Sequence, residues 1–295
     1  MQARTSENIK KAIRETSNFL KTSWKSVALI GPCLIILYYA LGSMMVEKID
    51  KDVDFEAAKE YKGYAFIQTS ADLIKREIDD HMFTPNLPFF FPASILDNMP
   101  SYQKGIIESL ATTIDLVSKS LNNTEMNKAS SLLHYPANVW LFSRTKDFKI
   151  EPSSAAQYRK ARRSLLKFNE TAVVEKKVIY QVLSAVEKNM ILVEQKLQKN
   201  IDVRKSLKAD NVFFWAQGNL YADLLLLKAA QKDLMFDSSS VLKPLKQGLD
   251  MKPLFIRNGK INSTTTPNHL LSLAYFTLKA RTELNRQIEE LKNAD

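Results

Sequence analysis

The chain has 295 residues, and its 42 lysines and arginines against 32 acidic residues give a net charge of +10 at pH 7. Residues 1–26 hold six of the cations and two of the acids, so the rest of the chain has 36 basic and 30 acidic residues, a net charge of +6. A mixed solvated surface explains this excess without a nucleic-acid partner. The single cysteine, Cys33, excludes disulfides, thiolate zinc sites and cysteine catalysis from the remainder of the chain.

Near the N-terminus, Val27–Val46 contains no acidic or basic residue. As a helix it would span about 30 Å, the thickness of the hydrocarbon core of a bilayer, so it predicts a transmembrane helix. One alternative is a buried core helix, and another is a cleaved signal peptide ending near Ala40-Leu41-Gly42, although the apolar run exceeds a typical signal core. A lipoprotein signal ending at Cys33 fits less well, because Pro32 precedes it and apolar residues continue past it.

The charges flanking this segment predict its orientation. Residues 1–26 hold six cations and two acids, whereas residues 47–56 hold five acids and two lysines. The basic side of a membrane helix stays in the cytoplasm, so the carboxyl-terminal part is expected to be exported. The predicted organisation is a cytoplasmic basic segment over 1–26, a transmembrane helix over 27–46 and an exported helical domain over 47–295.

The first part of the exported domain shows one helical pattern and then a proline-rich stretch. Apolar residues predict a helix over Phe55–Asp80. Four prolines confine residues 81–100 to extended or turn geometry, and Phe89-Phe90-Phe91 within them is expected to pack over helices. A further helix is expected to start near Ser101, and Asp97-Asn98 could cap it.

The rest of the domain predicts helices joined by short connections. Tyr135–Phe148 is interpreted as an aromatic loop or short strand, followed by a helix from a Ser153 or Ser154 cap to Phe168. Thr266 is expected to be the N-cap of the last helix. The other helices are predicted over Glu125–His134, Asn211–Phe236, Val241–Gly248 and Pro267–Leu291.

One helix is marked by an apolar seam at intervals of three and four residues, which favours an antiparallel partner inside the same domain. The seam consists of Ile179, Leu183, Val186, Met190, Val193 and Leu197. With only seven glycines and no strands at hairpin spacing, the chain is predicted to be all-α, a transmembrane helix followed by a helical bundle.

The sequence contains none of the common catalytic motifs. It has no G-x-S-x-G elbow and no glycine-rich phosphate loop, so we assign no catalytic residue and expect no cofactor. None of His81, His134 and His269 is followed by a second histidine or a carboxylate three or four residues later in a metal-binding pattern, so we expect no metal site.

Several polar and aromatic residues stand out as a possible functional or structural cluster. Gly218 lies within an apolar helix and indicates close contact with another helix, while Asn258-Gly259 is typical of a tight turn. The cluster consists of Asp97, Asn98, His134, Trp140, Asp210, Asn211, Trp215, Gly218, Tyr221 and His269.

Four sequence blocks are similar to a bacterial inner-membrane protein family known as domain of unknown function 2333. They are Leu96–Pro100 with Tyr102 and Gly105, Trp140 with Tyr158-Arg159, Asn211–Lys228, and Asn258-Gly259 with Pro267–Leu270. The resemblance implies a bacterial inner membrane, a cytoplasmic N-terminus and a periplasmic domain. It implies no activity.

Two main functions remain open at this point, beside a third class, a lipid or small-ligand carrier, which would need a continuous apolar cavity. The first is an envelope interaction or scaffold protein that binds an envelope protein partner through an aromatic-lined groove. The alternative is an envelope hydrolase or transferase with a site assembled from Asp97, His134, Asp210 and His269. An enzyme of this second kind needs at least two of these side chains within hydrogen-bonding distance.

Overall fold

The computed structural model describes residues 2–141, 152–201 and 208–293. Over these ranges it is all-α, with an isolated bridge between Asn258 and Asn268 instead of strands, which confirms the predicted fold class. The helices are α1 (Gln2–Val46), α2 (Ala65–Lys75), α3 (Asn98–Leu121), α4 (Thr124–Leu133), α5 (Ser154–Asn169), α6 (Lys176–Ile201), α7 (Ala209–Leu234), α8 (Ser239–Leu249) and α9 (His269–Asn293).

Helix α1 is continuous through Pro32 and ends in an apolar segment, Ala28–Val46, with a mean hydropathy of 2.0. Only 6% of that segment is buried inside the protein, which excludes a core helix wrapped by the bundle. By length and composition the segment can cross a membrane.

Helices α3 and α7 form the centre of the bundle and approach each other at two glycines. A Cβ atom on Gly218 would overlap the carbonyl of Tyr102, and one on Gly105 would overlap the carbonyl of Trp215. The two backbones therefore touch, which is the close helix contact that Gly218 predicted.

Helix α6 packs against α3, α7 and α9 through its apolar seam, and all six seam residues are fully buried. Tyr180 near its start donates to the carbonyl of Leu291 near the end of α9, while Glu194 pairs with Arg281. The two helices therefore run antiparallel, and the expected intramolecular partner of α6 is α9.

The predicted start of the helix at Phe55 is wrong because a distant side chain determines where that helix begins. Helix α2 begins at Ala65, not Phe55, since both carboxylate oxygens of Asp233 in α7 accept its first N–H at 3.0 Å. Its regular α-helical part ends at Lys75, and residues up to Asp80 form a π-helical turn. Helix α3 begins at Asn98, three residues before Ser101. Asp97 occupies its N-cap position as expected, but the Asp97 side chain makes no capping hydrogen bond.

The last helix also starts later than expected. Gly259 donates its N–H to Pro267 at 3.0 Å, and Asn258 pairs with Asn268, so this backbone is extended and the tight turn predicted at Asn258-Gly259 is wrong. Helix α9 then starts at His269, and the Asn268 side chain accepts from Leu271 at 2.9 Å, the capping role expected of Thr266.

The remaining boundaries agree with the sequence. Asn123 caps α4 and Ser153 caps α5, each through its own side chain. Residues 135–141 contain no strand, and the end of the predicted Tyr135–Phe148 segment lies outside the described residues.

Candidate binding cleft and the polar groups beneath it

A cleft of about 340 Å³ opens between α3, α6, α7 and the end of α4. Its aromatic lining comes from His134, Tyr135, Tyr158 and Trp215. Aliphatic side chains complete the apolar surface, and the polar lining includes Lys104, Glu108, Asn189 and Asn219. This mixture of apolar surface with few polar groups, and the volume, are typical of ligand-binding clefts.

Trp215 is held in place from two sides. Its indole Nε1 donates to Glu108 at 2.7 Å, and the Lys196 ammonium lies 3.3 Å from the centre of its ring. Burial lowers the pKa of Lys196, while Glu108 opposes this shift. The indole is thus fixed by a charge-assisted hydrogen bond and a cation–π contact.

Asn219 provides an unpartnered acceptor at the cleft. The residue is only 3% exposed, and its Oδ1 has no hydrogen-bond partner within the described part of the chain. Leaving such a buried group unpaired costs about 1–3 kcal/mol, part of which a hydrogen bond from any N–H or O–H that reached it would recover.

A buried carboxyl group lies behind the cleft. Asp223 is fully buried, and its Oδ1 accepts from Ser109 Oγ at 2.7 Å and from Asn189 Nδ2 at 2.9 Å. Burial raises the pKa of Asp223 to about 7, although these two hydrogen bonds act to lower it. Asn189 also lines the cleft, so one hydrogen bond connects the carboxyl group to a residue of the cleft wall.

A second buried network lies at the π-helical turn after α2. Arg76 forms an ion pair with Glu77 at 2.8 Å and donates to the Tyr221 hydroxyl at 2.7 Å. Tyr221 in turn donates to the carbonyl of Asp52, and Tyr102 donates to that of Asp50. This network attaches the chain that follows α1 to the centre of the bundle.

The residues singled out from the sequence lie in several different places. His134 and Trp215 line the cleft, Gly218 forms the α3–α7 contact and Tyr221 belongs to the Arg76 network. Trp140 packs against the rings of Phe90 and Phe91. The other five are at the beginnings of helices: Asp97 and Asn98 at α3, Asp210 and Asn211 at α7, and His269 at α9.

The four residues proposed for an enzyme site are not joined to one another. Across residues 2–141, 152–201 and 208–293, no hydrogen bond or ion pair links any two of them. His134 Nδ1 bonds the carbonyl of Ser130, and His269 Nδ1 accepts from the N–H of Arg257. Asp210 accepts from the N–H of Asn211 next to it. The geometry therefore gives this site no acid–base pair.

Sequence reasoning missed the polar residues that give the cleft its chemistry. Asp223 interrupts the apolar run of α7, and Asn189 lies within the apolar seam of α6, so both carried a signal as polar residues on a buried face. Glu108 and Lys196 had no such signal, because only their contacts with Trp215 distinguish them from other surface charges.

Among the described residues, no group of three or more histidine, cysteine, aspartate or glutamate side chains is arranged to hold a metal ion. No family model matches the chain, and no curated protein or solved structure matches it either.

Proposed function

We propose that this chain is a single-pass membrane protein, anchored by Val27–Val46, whose exported helical domain binds a segment of an envelope protein partner in the cleft. The resemblance to domain of unknown function 2333 belongs to this proposal and indicates a bacterial inner membrane with the domain in the periplasm. The exposed apolar end of α1 and the charge difference across it support the anchor and its orientation.

The observation that carries the binding role is the unpartnered Asn219 acceptor at an aromatic-lined cleft. A peptide segment supplies the two groups that this site accepts, an apolar side chain for the aromatic surface and a backbone N–H for Asn219 Oδ1. Glu108 and Lys196 are already engaged with Trp215, so they shape the site and hold the indole rigid. Rigid aromatic anchors of this kind contribute much of the free energy of protein association.

A binding role also fits the cleft better than the hydrolase or transferase alternative. His134, the one histidine among the described residues that line this cleft, already bonds a main-chain carbonyl through Nδ1. The other three residues of the proposed enzyme site are not among the described residues that line this cleft: Asp97, Asp210 and His269.

Site-specific photo-crosslinking in intact membranes tests the binding role. A photoreactive amino acid placed at Leu192, a cleft residue with an exposed side chain, is expected to give a discrete adduct with one partner protein. Thr112→Trp, which fills the cleft, is expected to abolish that adduct. Thr282→Trp on α9 is the matched control, because both threonines donate their hydroxyl to the carbonyl four residues earlier in a helix.

Two outcomes of the crosslinking experiment would contradict this expectation. An adduct that persists in a folded Thr112→Trp protein, or no adduct at Leu192 at all, would refute the binding role of the cleft. Circular dichroism of both tryptophan variants checks that a lost adduct does not reflect unfolding.

A further inference from the structure

Residues 82–96 form a stretch of 15 residues with no ionisable side chain, and part of it lies against the end of α1. Tyr38 donates its hydroxyl to the carbonyl of Phe90 at 3.0 Å, and Tyr39 donates to that of Phe89 at 2.6 Å. Ser43 donates to the carbonyl of Pro92 at 2.9 Å. Three hydroxyl groups on the apolar helix therefore fix the position of this segment, residues 88–95, which we call the phenylalanine loop.

These contacts set the depth of the phenylalanine loop relative to the apolar helix. Tyr38 lies eight residues before the end of α1 at Val46, which is about 12 Å along a helix axis. Segments that lie at a membrane surface bury their apolar side chains about 5–10 Å into the boundary between headgroups and acyl chains. If α1 spans the bilayer with Val46 at its edge, the phenylalanine loop lies within about 12 Å of that edge on the side of the domain, and so extends from the headgroup boundary into the acyl chains.

The side chains of the loop suit that environment. Phe89 is 82% exposed, Phe90 46% and Ile95 59%, so apolar surface points away from the protein beside a helix end that is itself exposed and apolar. Clustered exposed apolar side chains mark a surface that contacts a membrane or another apolar partner. The continuity of this patch with α1 favours lipid.

The backbone of the loop is also adapted to an environment poor in water. Non-helical carbonyl and N–H groups are costly there unless the protein bonds them. Tyrosine and serine hydroxyls of α1 cover the carbonyls of Phe89, Phe90 and Pro92. Phe91 and Ser94 donate their N–H groups within the loop, to Pro88 and Phe91, and the prolines have no N–H to satisfy.

We infer that the phenylalanine loop is a second membrane contact, in which Phe89, Phe90 and Ile95 insert among the acyl chains of the leaflet on the domain side; this inference rests on the proposed membrane anchor. Trp140 packs on Phe90 and Phe91, with ring centres 5.4 and 6.2 Å apart. It follows shortly after Tyr135–Ala137, which line the cleft. The loop would thus hold this side of the cleft next to the membrane surface.

Fluorescence quenching in bilayers tests the inference with the full-length chain. In a Cys33→Ser background, single cysteines at Phe89, Ile36 and Leu254 carry an environment-sensitive fluorophore in phosphatidylglycerol–phosphatidylcholine vesicles. Lipids with a nitroxide on the acyl chain act as the quencher. Ile36 is an exposed position of α1, and Leu254 is an apolar loop residue, 89% exposed, outside the contacts with α1.

The expected result is quenching at Phe89 similar to that at Ile36, with a blue-shifted emission, and no quenching at Leu254. Quenching at Ile36 but not at Phe89 would overturn the second contact and leave the anchor intact. Lack of quenching at both would overturn the anchor as well. Equal quenching at Phe89 and Leu254 would also overturn the inference, because the domain would then lie on lipid without a specific contact.

Discussion

The buried carboxyl group of Asp223 makes the stability of the bundle depend on pH in an unusual direction. Its pKa is raised from 3.8 to about 7 in the folded protein, mainly by burial. At a pH below the pKa values of Asp223 in both the folded and the unfolded chain, the group is neutral in each, and its contribution to the stability of the fold is fully present. As pH rises towards 7 the unfolded chain loses the proton while the folded chain retains it, so stability decreases.

The magnitude follows from that shift. Each pKa unit corresponds to about 1.4 kcal/mol, so raising the pH from about 4 to about 7 should reduce the free energy of unfolding by up to about 4 kcal/mol through this group. Asp223→Asn keeps the shape and cannot ionise, so the variant should not show this loss. We expect it to match the wild type near pH 4 and to be more stable at pH 8, by an amount of the order of 4 kcal/mol at most.

Thermal unfolding of the full chain in detergent, followed by circular dichroism between about pH 4 and pH 8, measures this difference. Asp115→Asn is the control of opposite sign. Burial acts to raise the pKa of Asp115, but the hydrogen bonds from Lys119 and Ser130 and the charge of Lys119 together bring it below its usual value, so its replacement should cost stability near neutral pH. A stability difference between Asp223→Asn and wild type that does not grow with pH would refute the reasoning.

Two other predictions concern the packing of the bundle and the orientation of the anchor. Gly218→Ala should lower stability by about 1–3 kcal/mol, because its Cβ would overlap the Tyr102 carbonyl. Gly248→Ala should be nearly neutral, since its Cβ meets only side chains at 3.1 Å and beyond. Equal melting temperatures for the two variants would contradict this prediction. A reporter enzyme active only outside the cytoplasm should be active when fused after Asp295 and inactive when fused before Met1, and the reverse would overturn the orientation. A mature chain that begins at Ser43 would show instead that the anchor is removed.

The sequence predicted those parts of the fold that depend on local pattern. The seam of α6 and the Ser153 cap of α5 are set by residues a few positions apart, so periodicity and capping rules found them. The start of α2 depends on Asp233, which is 168 residues away, and no local rule contains that contact.

The candidate site was predictable only in part, for the same reason. Trp215 stood out as an aromatic residue in a helix, but its hydrogen bond to Glu108 crosses 107 residues of sequence. Asn219 gave no sign of its role, because an unpartnered acceptor can be recognised only once the groups around it have been placed.

The chain that leaves α1 is bound to the bundle almost residue by residue. The carbonyls of Asp50 and Asp52 accept from buried tyrosines, and that of Val53 accepts from Lys228 at 2.6 Å. Between them, Lys51 donates to Gln217 and to the carbonyl of Leu249, and burial lowers the pKa of its ammonium to about 8. A flexible tether would need none of these contacts.

The rigid connection has a consequence for the proposed binding role. A domain on a flexible linker samples many orientations, and a partner must select the productive one at an entropic cost. Here Tyr102 and Tyr221 fix the connecting segment, while Tyr38 and Tyr39 hold the phenylalanine loop against α1. With both attachments in place, the cleft would keep one height and one orientation relative to the bilayer. That arrangement favours a partner that is itself held in or near the same membrane.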